Sequence, residues 1–200
     1  MYLWRTMSEA QREEAAEYRK LQRYPKHSPP HFDSDLECTY ILTAACYEHA
    51  ATVGKNIERI TEFEQDLLRV VAAVTSTLYA WCILPNHYHL LLRTARLKEI
   101  REHLGRLHGK TAFIWNGEDN ARGRKVWHNC FERKMKSDGH FYASLNYINH
   151  NPVHHGYVQK WEDWAWSSGK DYIERVGREN AVKVWKEYPI LDYGKNWDIF

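Results

Sequence analysis

The run Pro85-Asn86-His87-Tyr88-His89-Leu90-Leu91-Leu92 places two histidines on either side of one bulky residue at the head of an apolar stretch. Side chains alternate between the faces of an extended strand, so His87 and His89 share a face and Tyr88 takes the other. Two neutral imidazoles side by side can hold one divalent cation. Farther along, Phe141, Leu145 and Ile148 form an apolar stripe at helical spacing, with Tyr147 off the stripe and Asn151 one turn after Tyr147. Tyr147 and Asn151 can therefore face one point. A phenol, with a pKa of about 10, is a poor nucleophile until its proton is removed or its target is polarised. A cation on the paired histidines would polarise a phosphate oxygen and offset the charge that develops there.

These groups need elements to position them. Residues 38–47 are rich in strand formers. After Gly54, the residues Ile57, Ile60, Phe63, Leu67, Leu68, Val71 and Val74 recur at helix spacing. Residues 78–84 are apolar on both faces, as in a central strand. Pro85-Asn86 reads as a turn, and 87–94 as the returning strand. A second helix is expected over about 97–115, broken by the Asn116-Gly117-Glu118-Asp119-Asn120 cluster. Residues 125–131 read as a fourth strand, and Ser137-Asp138-Gly139 as the cap of a third helix over about 140–150. The order strand–helix–strand–strand–helix–strand predicts an α+β fold of the ferredoxin-like, split βαβ kind, an antiparallel sheet with helices on one side. Ser8 and Gln11 have capping-box spacing before a short polar helix, and the Pro-rich stretch 24–31 reads as an extended arm. The expected organisation is an N-terminal extension over 1–37, a core domain over 38–172, and a C-terminal extension over 173–200 packed on the core.

Composition narrows the partners. The hydrophobic fraction of 44% and mean hydropathy of −0.69 suit a folded soluble domain of this length. A net charge of +2 is too small to argue for nucleic acid by itself, but its distribution is uneven. Between Arg93 and Lys136 the bases outnumber the acids, and Arg93, Arg122, Arg124, Lys125, Arg133, Lys134 and Lys136 are candidate phosphate contacts. The bland alternative is a solvated surface with ordinary charge pairs. Cys38, Cys46, Cys82 and Cys130 form no CxxC pair and read as reduced core residues of a cytoplasmic protein. No apolar stretch approaches ~18 residues, so neither a signal peptide nor a membrane span is expected.

Taken together, LPNHYHLL over 84–91, Val126-Trp127, YINHNPVHHG over 147–156 and Trp166-Ser167-Ser168 resemble the HUH single-strand DNA endonucleases. Within that class the chain looks most like the REP-associated branch of the single-tyrosine transposases, in order and spacing, over about 39–172. The resemblance implies that His87 and His89 ligate Mg2+ or Mn2+, that Tyr147 is the nucleophile, and that Asn151 occupies the position of a third ligand. It implies a nicking and joining enzyme for single-stranded or hairpin-forming palindromic DNA, acting through a 5′-phosphotyrosine, as a monomer or a homodimer, in the cytoplasm at the nucleoid. The chain departs from the branch at Asn149, where a histidine is common, and in its longer N-terminal extension.

Each residue also has a structural reading. Asn151 before Pro152 suits an N-cap of a new turn as well as a ligand. His150, His154 and His155 read as surface histidines or as DNA contacts, and Trp166-Ser167-Ser168 as packing and capping. Two rival functions stand beside the enzyme: a catalytically silent, domesticated hairpin-binding regulator, and a hydrolase of small phosphoesters. The second lacks the carboxylate ligands such sites use.

Overall fold

In the computed structural model, a four-stranded antiparallel sheet holds the His-x-His strand in an inner position. The structure describes residues 36–190, together with Ser8–Gln11, Glu13, Glu14 and Glu17. Contacts divide the chain into Met1–Phe32 with Gly194–Phe200, and Asp33–Tyr193. In the first unit the capping box forms: Ser8 N–H donates to Gln11 Oε1 at 2.8 Å and Gln11 N–H to Ser8 Oγ at 3.3 Å. The Pro-rich arm and residues 191–200 lie outside the described residues.

The second unit contains β1 (Cys38–Ala45), α1 (Ile57–Ala72), β2 (Thr77–Leu84), β3 (His87–Thr94), α2 (Leu97–Glu118), β4 (Phe131–Lys134) and α3 (Asp138–His154). Two shorter helices follow, α4 (Gly169–Val176) and α5 (Arg178–Glu187). The sheet order is β2-β3-β1-β4, all antiparallel, which is the split βαβ arrangement expected.

Apolar spacing produces α1 as read. Asn56 accepts a hydrogen bond from Arg59 N–H at 2.8 Å as its N-cap, and Ile60, Phe63, Leu67 and Val71 are buried. Ile57, in the first turn, is 67% exposed instead. Just before α1, Gly54 N–H donates to Pro85 O at 3.0 Å, and a Cβ there would lie 2.5 Å from Pro85 Cβ. Only glycine lets the chain pass this close to the turn that delivers His87.

Helices pack on both faces of the sheet, not on one. Tyr88 meets Phe63 of α1 and His108 of α2, and with Leu90, Leu92 and Leu42 it forms the main core. The opposite face carries Leu91 and Ile41, and α3 lies there, with Leu145, Tyr147 and Ile148 buried and Phe141 packed edge-on against Tyr79. The two-residue alternation of β3 makes this inevitable: Tyr88 and His89 belong to different faces, and each face gains its own helical layer.

The fourth strand is displaced from its expected place. Residues 125–130 hold a single bridge, Cys46 with Trp127, and the ladder to β1 begins only at Phe131. β1 gives way at Tyr47–His49 to a 3-10 turn with Glu48 and His49 at positive φ, so 125–130 meets its end through the bridge and the bonds Tyr47 N–H to Val126 O and His128 N–H to Ala45 O instead of a continuous ladder. Val126 and Trp127 are both buried, and Trp127 stacks on His108 at 4.3 Å. α2 also runs beyond its expected end. Asn116 and Gly117 remain helical because Asn116 binds Arg124 on both its amide atoms and Gly117 makes room for the Arg122 guanidinium. The chain breaks at Asn120, φ 52°.

Candidate active site

β3 sets His87 and His89 on the face covered by α3, both buried. The outer nitrogen of each ring is held. His87 Nδ1 lies 2.8 Å from Asn86 Oδ1, and His89 Nδ1 lies 2.7 Å from Thr43 Oγ1, its partner across the β1–β3 ladder. Hydrogen bonds of this kind fix the tautomer and aim the other nitrogen at a shared target. The rings stand 5.0 Å apart, steeply inclined to each other.

α3 brings the remaining groups. Ser137 accepts from His140 N–H at 3.2 Å to start the helix. The helix then runs through Pro152 to His154, so Asn151 is not the N-cap of a new turn. Its Oδ1 instead faces His87 Nε2 at 3.0 Å. Tyr147, one turn earlier and buried, has its hydroxyl 3.5 Å from His89 Nε2, with the rings 5.1 Å apart. Four groups expected to converge do converge, within one chain.

The donor set suits a hard divalent cation. With Asn86 Oδ1 accepting, the neutral His87 ring carries its hydrogen on Nδ1 and turns the Nε2 lone pair toward Asn151 Oδ1. In that form both atoms turn a lone pair to the gap between them, as two ligands of one cation do. Cis donors each ~2.1 Å from an octahedral cation stand roughly 3.0 Å apart. Among the described residues no three His, Cys, Asp or Glu side chains form a metal-binding group, and the oxygen donor that faces His87 is the Asn151 amide. Asn151 Nδ2 has no hydrogen-bond partner although buried, as expected of an amide placed for its oxygen.

Neighbouring residues divide into support and surface. Asn149 Oδ1 accepts from Ser168 Oγ at 3.3 Å, and Trp166-Ser167-Ser168 runs along β2, where Trp166 O accepts from Ile83 N–H and Ser168 N–H donates to Trp81 O, both at 2.9 Å. That segment covers a sheet edge. His150 accepts from Trp161 Nε1 at 3.2 Å on the outer side of α3. His155 is exposed, its ring 5.0 Å from His87. Thr43 carries no motif signal; only the ladder register reveals it.

The basic candidates are scattered. Arg124 is tied to Asp119 at 2.7 Å, and Arg122 donates to Phe113 O and lies over its ring. Arg93 pairs with Glu37 at 3.0 Å, and Lys125 sits over the Tyr47 ring at 4.6 Å. Arg133, Lys134 and Lys136 are exposed along and after β4, and of these Arg133 shares the histidine face.

Sheet order, paired histidines and a helix-borne tyrosine define an α+β protein of the HUH type. No protein-family model matches the chain. Over 130 residues it is 32% identical to a REP-associated tyrosine transposase of Haemophilus influenzae, covering 60% of this chain and 68% of that protein. The chain belongs to the REP-associated tyrosine transposase family. A REP-associated tyrosine transposase solved with a bound REP hairpin superposes with a TM-score of 0.54 at 16% identity, over 76% of this chain and 87% of that one. A transposase structure from Deinococcus radiodurans aligns with a TM-score of 0.38 at 15% identity, over 63% of this chain and 97% of that one.

Proposed function

We propose that the chain is a divalent-metal-dependent endonuclease and strand transferase for hairpin-forming, single-stranded DNA, acting through a 5′-phosphotyrosine. The observation that carries this reading is the Tyr147 hydroxyl 3.5 Å from His89 Nε2, beside His87 and Asn151 in the same chain. Kinship to a family with a member solved on a REP hairpin supports hairpin DNA as the substrate class.

His87, His89 and Asn151 would hold Mg2+ or Mn2+, which supplies a fixed positive charge to polarise a non-bridging phosphate oxygen. Asn86 and Thr43 keep the imidazoles turned toward that point. α3 holds the phenol in place, so little orientation remains to be gained at the moment of attack. The Tyr147 oxygen bonds to phosphorus, the bond from phosphorus to the 3′-oxygen breaks, and the phenolic proton passes by way of solvent to the departing 3′-oxygen. One phosphodiester replaces another, so a 3′-hydroxyl can reverse the step and join strands without nucleotide hydrolysis.

The test uses labelled hairpins with randomised single-stranded flanks and Mn2+. An SDS-resistant protein–DNA adduct should form with the natural chain and vanish in Tyr147→Phe. Binding of the pool without any adduct would contradict the reading and favour the silent hairpin binder.

A further inference from the structure

Trp166-Ser167-Ser168 does more than cover the edge of the sheet. β2 is an edge strand, and the segment lies along it antiparallel, with a bridge between Ser167 and Cys82. Its backbone bonds fall on Trp81 and Ile83, on either side of Cys82, and Cys82 stands opposite His89 in the β2–β3 ladder. The segment is therefore registered to His89 through one intervening strand. On the far face of the sheet Trp166 Nε1 donates to Thr61 Oγ1 of α1 at 3.1 Å.

Ser168 ties the same segment to the tyrosine helix. Its hydroxyl accepts from Trp81 N–H at 2.9 Å and turns its one hydrogen between two oxygens, Trp81 O at 3.2 Å and Asn149 Oδ1 at 3.3 Å. Asn149 and Ser168 are both buried, and Asn149 lies two residues beyond Tyr147 on α3. The contacts close a circuit. It runs from Tyr147 to Asn149, across to Ser168 and β2, over to His89, and back to the Tyr147 hydroxyl at 3.5 Å.

Leu145, Ile148 and the edge-on Phe141–Tyr79 pair hold α3 against the sheet by apolar burial, which has no direction. Such contacts set how closely the layers approach but not where the helix stops along the strands. A hydrogen bond demands a distance and an angle, and so fixes that position. Sliding α3 by one residue would carry the phenol about 1.5 Å. A misplacement of about 1 Å can cost a hundredfold in rate.

We infer that the Asn149–Ser168 bond is a latch fixing the tyrosine helix along the sheet, which makes both side chains positioning residues for the Tyr147 hydroxyl. Neither reaches the reacting atoms. The inference rests on the reading that Tyr147 is the nucleophile.

Two measurements on the full chain test it. With saturating hairpin and Mn2+, Asn149→Ala should slow adduct formation about a hundredfold with hairpin affinity unchanged. Ser168→Ala should do the same, the double variant should lose no more than the worse single one, and Ser168→Thr, which keeps the hydroxyl, should retain the rate. The second measurement needs neither metal nor DNA: fluorine NMR of the chain labelled with 3-fluorotyrosine, in which the Tyr147 resonance is the one missing from Tyr147→Phe. Asn149→Ala or Ser168→Ala should move or split that resonance, while Tyr88, on the opposite face, stays put. A Tyr147 resonance unmoved in both variants overturns the latch, as does an undiminished adduct rate, even if unfolding shows lost stability. A resonance that responds as expected in a chain whose parent forms no adduct rejects the phosphotyrosine chemistry alone; a parent adduct with resonance and rate unchanged in the variants rejects the latch alone.

Discussion

Thr43 shows how a residue without a motif sets the chemistry of one within it. Its hydroxyl is 2.7 Å from His89 Nδ1, on the side of the ring away from Tyr147. Thr43→Val keeps the shape and removes the hydrogen bond. Losing such an outer partner lowers metal affinity by roughly 10–100-fold, so Mn2+ titration of the variant by calorimetry should show a loss in that range with unfolding midpoint nearly unchanged. Unaltered Mn2+ affinity would show that His89 is held by other means. The sequence exposed His87, His89, Tyr147 and Asn151 because a strand period and a helix period each place them by arithmetic. It left open whether Asn151 caps or faces the site, because asparagine before proline is a common helix start; α3 instead continues through Pro152, and Asn151 faces the site. Thr43 was illegible because its role depends on strand register, which one strand cannot state.

At the scale of elements, α3 must hold Tyr147 steady while its outer side meets the C-terminal helices. Asn146, fully buried, donates to Val184 O at 3.2 Å and Tyr188 O at 2.8 Å, pinning the end of α5 to the tyrosine helix. Asn146→Ala would leave those carbonyls without their donor, at a cost of about 2 kcal/mol, readable in urea denaturation. A change below about 0.5 kcal/mol, the range of an ordinary surface substitution, would place the anchoring elsewhere. The strands and helices with strong periodicity fell where the sequence put them. The fourth strand did not: Val126 and Trp127 are both buried, and beside them β1 gives way to the 3-10 turn at Tyr47–His49, which leaves an isolated Cys46–Trp127 bridge in place of a ladder. Helices on both faces were likewise implicit in Tyr88 and His89, yet became visible only once each had a neighbour.

Across the whole molecule, the main core contains a titratable group. His108 stacks on Trp127 and its Nε2 lies 3.0 Å from the Tyr88 hydroxyl, and burial pushes its pKa down from 6.5 to about 4. The unfolded chain therefore takes up a proton near pH 6.5 that the folded chain refuses until about pH 4. The stability linked to His108 is fully present above 6.5 and falls as pH drops toward 4, by an amount on the order of 3 kcal/mol. His140 and His150, also lowered by burial, act in the same direction. Asp119, hydrogen-bonded to Arg59, is held well below the usual carboxylate range, so its stabilisation is fully present above its ordinary value of 3.8 and is lost only as pH falls further. Urea unfolding at pH 7, 5.5 and 4 should show this fall, flattened in His108→Phe; an equal fall in that variant would locate the proton uptake elsewhere. Among the described residues no helix is long and apolar enough to cross a membrane.

The most direct test of convergence on one phosphorus is peptide mass spectrometry of the chain after incubation with flank-randomised hairpins and Mn2+. A nucleotide phosphate on the Tyr147 oxygen is expected, absent when Mn2+ is chelated and absent in His89→Ala. The same phosphate on another residue, or an undiminished yield on Tyr147 in His89→Ala, would contradict the joint action of the histidines and the tyrosine.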